Sequence, residues 1–227
     1  AVAQFKAITE GSVLSKYGTV YFLAWTTTPW TLPSNTALAV GKNISYQLIK
    51  TFNPYTFEPV QVIVAKDLAG KYFTEKNAAV SFAEYQPGDK IIPFEIIAEF
   101  SGSDLANIRY EQLLPYVQPT DGDAFKVIIG DFVTTEDGTG IVHIAPSFGA
   151  DDFRVAKQNG MGNLTLVDRR GRFLPEIQDG TFLFGEEFVK EAYYSDEEKA
   201  VELAKQKASL GGIIKDTEKL QYLSVDD

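Results

Sequence analysis

A chain of 227 residues, 44% hydrophobic and 13% aromatic, is long enough for one large domain or two small ones and apolar enough to bury a core, which excludes a disordered chain. With no cysteine and one histidine, a disulfide framework, a thiolate metal site and the usual hydrolytic zinc site are excluded; carboxylate-only magnesium binding stays open, and the cytoplasm is the expected location. A net charge of −10 argues against gripping nucleic acid along its length, and apolar runs as short as Val127-Ile128-Ile129 argue against a membrane partner, so a soluble protein with only local RNA contact is expected.

Taken in chain order, residues 18–25 read as a buried strand, followed by β-rich runs at Ile44–Ile49, Val60–Ala65, Ala79–Phe82, Phe125–Ile129 and Gly140–Ile144. Turn signals at Pro87-Gly88-Asp89, Gly102-Ser103-Asp104, Asp121-Gly122-Asp123 and Asp137-Gly138 separate them, a pattern of short strands that points to a barrel or sandwich core. A short helix is expected from about Asp151 to Gly160. A longer one begins at the capping-box pattern Ser195-Asp196-Glu197-Glu198 and stops at Gly211-Gly212. Lys205-Gln206-Lys207-Ala208-Ser209 reads as the solvated end of that helix, not as a lysine-rich ATP-binding loop. No repeat or long linker divides the chain, so residues 1–227 are read as a single domain with one possible sub-boundary near Arg172. The start at Ala1 and the end at Asp227 read as one piece of a longer polypeptide.

Two segments carry unusual chemistry. In Trp25-Thr26-Thr27-Thr28-Pro29-Trp30-Thr31-Leu32-Pro33-Ser34-Asn35 four threonine hydroxyls follow the first strong strand; β propensity alone accounts for consecutive threonines, but Pro29 ends regular pairing and turns the hydroxyls toward a concave space. Between Glu136 and Asp152 a turn, a strand and a loop deliver His143 and then Asp151 and Asp152 at a helix start. Simple capping is a sufficient account of two acids there, and packing of a lone strand histidine. A catalytic triad of His143, Ser147 and Asp152 is disfavoured, because the serine lies between Pro146 and Phe148 without a nucleophile elbow.

Together the segments resemble the paired signatures of the editing (CP1) domain of class I aminoacyl-tRNA synthetases for isoleucine, valine and leucine. Thr-Thr-Thr-Pro-Trp-Thr-Leu-Pro from Thr26 to Pro33, and Gly-Thr-Gly-x-Val-His-x-Ala-Pro from Gly138 to Pro146, are similar to the isoleucyl branch. The other branches usually have arginine at the place of Thr28, an acid at Trp30, and lysine or methionine at His143. Weaker similarity, including Gly130-Asp131-Phe132-Val133, extends over most of the chain. The ATP motif of the synthetic site, of the His-Ile-Gly-His type, does not occur, and one histidine could not supply it.

The resemblance implies an α+β fold, a closed β-barrel with peripheral helices, in which Thr26–Thr31 face Asp152 across one cleft. It implies post-transfer hydrolysis of valine from mischarged tRNA(Ile), with the aminoacylated 3′ end of tRNA and the remainder of the synthetase chain as partners. No metal or other cofactor is expected for editing, and ATP serves only the absent synthetic domain. The implied catalytic residues are Thr26, Thr27, Thr28 and Asp152, with Asp152 as the anion for the substrate α-ammonium. The implied binding residues are Trp30, Thr31, Asn35, His143, Ala145 and Phe148, with His143 and its neighbouring backbone as a wall against isoleucine and the aromatic pair packing on the ligand. Positioned water and hydroxyl donors would carry the hydrolysis, assisted by the free ribose hydroxyl of the substrate. A non-catalytic binder of aminoacyl-tRNA ends, or an inactive structural insertion, are the alternatives.

Overall fold

The computed structural model describes residues 1–177. Nine strands form one mixed sheet: β1 (Val2–Ile8), β2 (Tyr21–Trp25), β3 (Ala37–Val40), β4 (Ser45–Phe52), β5 (Pro59–Ala65), β6 (Glu95–Ser101), β7 (Arg109–Tyr110), β8 (Lys126–Ile129) and β9 (Ile141–Ile144), in the order β6-β4-β5-β2-β1-β7-β8-β3-β9. Two neighbour pairs, β2 with β5 and β3 with β8, are parallel; the others are antiparallel. Among the described residues the helices are α1 (Lys66–Ala69), α2 (Glu75–Ala78), α3 (Gly102–Leu105) and α4 (Ala150–Gln158), and of these only α4 exceeds a single turn.

The period-2 pattern folds the sheet over on itself. Ala3, Phe5 and Ala7 of β1, Phe22 and Ala24 of β2, Tyr46 and Leu48 of β4, and Ile63 and Ala65 of β5 share one core with Leu38, Val40, Val127 and Ile141 from the other half of the sheet. The reverse faces are covered too. Ala37, Ala39, Ile128 and Ile144 pack under Val155 and Ala156 of α4, and Leu23, Ile49, Val62 and Val64 pack under Ala69. Strand β3 is therefore buried at all four positions and reads as an unbroken apolar run, the mark of a strand covered on both faces.

The sheet is not closed into a barrel, contrary to the sequence expectation. Strands β6 and β9 end the order and do not pair with each other. Where the two halves meet, the backbone bond from Ala65 N to Thr139 O, at 2.9 Å, stands in place of a ladder. Gly140 makes that approach possible: its φ is +71°, and a Cβ there would lie 2.3 Å from the Cβ of Ala65. Tyr46 then bolts the seam through the core, accepting from Gly41 N at 2.9 Å and donating to Gly140 O at 2.7 Å.

Five of the six expected β runs form strands, with ends moved by up to three residues. Ala79–Phe82 is not a strand. Its backbone is taken up in turns after α2, and Phe82 instead packs its ring 5.5 Å from that of Phe52. The helix expected at about 151–160 is α4, whereas the one expected from Ser195 to Gly212, with the lysine-rich stretch at its end, lies outside the described residues.

Candidate functional site

The chain leaves β2 at Trp25 and turns through the threonines into a 3-10 segment, Pro29–Ser34, that begins with proline, whose fixed φ suits a first helical position. Strand β9 arrives alongside, with Leu38 of β3 opposite His143, and the chain then passes through Ala145–Gly149 into α4. These elements enclose a cleft of about 500 Å³ whose lining includes Thr26, Thr27, Thr28, Trp30 and Thr31 together with His143, Ala145, Phe148 and Asp152. Residues with no predicted role complete it: Trp25, Phe132, Thr134, the stretch from Glu136 to Val142, and Gly149. The glycines of that stretch were the available signal, since Gly138 sits at φ +72° directly on the Trp25 ring, where a Cβ would come within 3.1 Å.

The threonines are tied to one another. Thr26 Oγ1 accepts from Thr28 N at 3.0 Å, and Thr31 Oγ1 donates to Thr28 O at 2.8 Å. Thr26 and Thr31 are buried, whereas Thr27 and Thr28 are exposed to the cleft. Thr31 Oγ1 also lies 2.9 Å from His143 Nε2; while its proton is given to Thr28 O it accepts from that nitrogen, an arrangement that goes with the imidazole proton on Nε2. Its Nδ1 faces Asn35 Nδ2 across a long 3.4 Å contact. Burial holds the imidazole neutral, pushing its pKa down to about 4. Both ring nitrogens thus have side-chain partners, Thr31 and Asn35.

Asn35, expected among the ligand contacts, does not line the cleft. It is buried behind His143, donating to Ala37 O at 2.8 Å and accepting from Tyr110 Oη at 2.6 Å. Trp30 and Phe148 meet edge to face with centroids 5.0 Å apart.

The two acids at the start of α4 have different surroundings. Asp151 is exposed and pairs with Arg154 at 3.3 Å, and Arg154 is also held by Asp131 at 2.9 Å. Asp152 instead accepts from Ala145 N at 2.9 Å, seven residues back, and lines the cleft. Desolvation raises its pKa, opposed by that hydrogen bond, with the Asp151 charge adding a smaller upward push. Neither acid caps the helix with its side chain: the residue at the cap is Gly149, and no side-chain cap bond is made there. Ser147, the third member of the disfavoured triad, is drawn away from His143 by Asn163 and Leu164 O, at 2.8 and 3.1 Å. Among the described residues no group of three or more His, Asp or Glu side chains is placed to hold a metal ion, and no helix is long and apolar enough to cross a membrane.

No family model matches the chain. Over its whole length it is 55% identical to the isoleucine–tRNA ligase of Cytophaga hutchinsonii, in an alignment of 237 residues that spans 20% of that enzyme. The chain belongs to the isoleucine–tRNA ligase family. The ligase of Bacteroides fragilis is 51% identical over 84% of the chain and 17% of its own length, and that of Thermoplasma acidophilum 39% identical over 76% and 15%. The chain thus spans about a fifth of the length of the curated isoleucine–tRNA ligases it matches. Among solved structures, the editing domain of the cytosolic leucyl-tRNA synthetase of P. falciparum is 18% identical, with a TM-score of 0.44 over 90% of this chain and 75% of that one. The corresponding P. knowlesi domain is 14% identical, with a TM-score of 0.44 over 67% and 60%.

Proposed function

We propose that this part of an isoleucine–tRNA ligase is its editing module, a hydrolase that removes valine from mischarged tRNA(Ile) after transfer. The observation that carries this reading is that a desolvated carboxylate, Asp152, lines one cleft together with the hydroxyl-bearing Thr26, Thr27 and Thr28 and a histidine that burial keeps neutral. An aminoacyl ester brings a free α-ammonium, and a carboxylate whose burial costs it solvation gains by meeting a cation.

In the proposed reaction water attacks the ester carbonyl carbon, the bond from that carbon to the ribose oxygen breaks, and the ribose oxygen takes up a proton. Valine and tRNA with a free terminal hydroxyl are the products. Asp152 holds the ammonium, and the hydroxyls of Thr26, Thr27 and Thr28 orient water and donate to the developing oxyanion. His143 is not the base, because its Nε2 proton is given to Thr31 and its Nδ1 is shut behind the wall. Its role is to bound the pocket with Ala145 so that valine fits and the extra methylene of isoleucine does not. Size exclusion by a second site answers the weak discrimination that one methylene allows at a first, for which the isoleucine–valine pair is the standard case. The partners are the aminoacylated 3′ end of tRNA(Ile) and the rest of the synthetase chain, in the cytoplasm, and the reaction uses no cofactor.

The test follows release of amino acid from valyl-tRNA(Ile) and isoleucyl-tRNA(Ile) incubated with the chain. The reading expects valine to be released and isoleucine retained. Binding of both esters with release of neither would make the cleft a recognition site and not a hydrolase.

A further inference from the structure

Behind the cleft a line of buried polar groups runs from the middle of the core to the threonine wall. Tyr110 is 1% exposed, and its ring packs edge-on to Phe5 with centroids 5.3 Å apart. Its hydroxyl, kept protonated because burial raises its pKa well above the ordinary tyrosine value, donates to Asn35 Oδ1 at 2.6 Å. Asn35 Nδ2 donates to Ala37 O at 2.8 Å and turns its other hydrogen toward His143 Nδ1 at 3.4 Å, with Ile144 O beside it at 3.5 Å. The line continues from His143 Nε2 to Thr31 Oγ1 and from Thr31 Oγ1 to Thr28 O. Every donor points the same way.

We infer that Tyr110, which touches neither the cleft nor any ligand in it, is a positioning residue that fixes through Asn35 the tautomer and orientation of His143. An amide with its oxygen and nitrogen exchanged would lay oxygen against Ala37 O and leave the phenol without its acceptor, so Tyr110 and Ala37 O together allow one orientation. That orientation presents a donor to Nδ1, which must then be the unprotonated nitrogen. Reversing any link would turn the Thr31 hydroxyl from Thr28 O toward Nε2 and leave that carbonyl to the backbone bond from Thr31 N, 3.1 Å away.

The consequence for selectivity rests on the proposed editing function, whereas the tautomer does not. His143 is the single histidine of the 227-residue chain, so imidazole nitrogen NMR of the histidine-labelled protein reads one ring without assignment. The parent protein should show the Nε2–H form, and Tyr110→Phe, which keeps the ring and removes the donor, should give a mixture of the two tautomers. Phe5→Leu, which disturbs the same core without touching the hydroxyl, should leave the Nε2–H form intact. Should Tyr110→Phe fold poorly, Asn35→Leu, which removes the donor facing Nδ1 without setting an oxygen against Ala37 O, should give the same mixture of tautomers. On the ester substrates Tyr110→Phe should lose about tenfold in discrimination between valine and isoleucine. A Tyr110→Phe spectrum identical to the parent, or the same mixture in Phe5→Leu, overturns the assignment. A parent protein that hydrolyses neither ester would strike the editing reading and leave Tyr110 to be judged by the NMR result.

Discussion

Asp152 accepts a hydrogen bond from Ala145 N at 2.9 Å, while its neighbour Asp151 faces solvent and Arg154. Two adjacent acids at one helix start therefore differ in kind. Removing the Asp152 side chain as Ala leaves Ala145 N without its acceptor and should cost about 1–3 kcal/mol of stability, whereas Asp151→Ala loses an exposed ion pair worth about 0–1 kcal/mol. Urea unfolding of the two variants checks this, and equal losses would show that the bond from Ala145 N adds nothing to stability beyond an exposed ion pair.

His143→Ala should enlarge the pocket and let isoleucyl-tRNA(Ile) be deacylated, while valine hydrolysis continues at a rate within about tenfold of the parent. Comparing the two esters with this variant separates shape from chemistry. Abolished valine hydrolysis with isoleucine still refused would assign the imidazole a direct part in the reaction.

The same residue sets a pH dependence. A histidine pKa lowered by burial from 6.5 to about 4 contributes stability that is fully present above pH 6.5 and is lost as the pH falls through about 4. The loss amounts to about 3 kcal/mol. Unfolding free energies measured between pH 7 and pH 4 should decline accordingly, and His143→Gln should flatten the decline between pH 6.5 and pH 4.5. Asp123, paired with Arg109 and Lys126 and lowered to about 2, loses its contribution only at more acid pH.

Gly140→Ala places a methyl group 2.3 Å from the Ala65 Cβ at a φ of +71°. Strain and overpacking together should cost about 2–4 kcal/mol, visible as a lower Tm. Because Gly140 lies between the Tyr46 bolt and the cleft, a variant with unchanged Tm would show that the β5–β9 seam adjusts freely.

Much of the cleft was legible because its walls are continuous stretches of sequence: the threonines follow a strand directly, and Gly138–Asp152 is a single turn, strand and helix start. Asn35 was misplaced because its segment is contiguous with the binding wall, yet its side chain turns inward to Tyr110, a partner 75 residues away that no local pattern reveals. Sheet closure was not legible either. Alternation tells which face of a strand is buried, but the bond from Ala65 to Thr139 that replaces a ladder depends on Gly140 and Tyr46, brought together from positions 94 residues apart. Strand β3 escaped notice because Ala-Leu-Ala-Val, buried throughout, has no period.

Asp152→Asn separates charge from shape at the proposed anion of the hydrolytic site, since the amide oxygen can still accept from Ala145 N and only the charge is lost. Burial raises the Asp152 pKa, so ionisation costs stability as the pH rises through that value, and the neutral variant should be at least as stable as the parent at pH 7. In single-turnover deacylation of valyl-tRNA(Ile) the rate should fall by about tens- to thousands-fold, the kinetic equivalent of about 2–5 kcal/mol for a lost charge partner, with no fall in Tm. Hydrolysis at the parental rate by folded Asp152→Asn protein would contradict it.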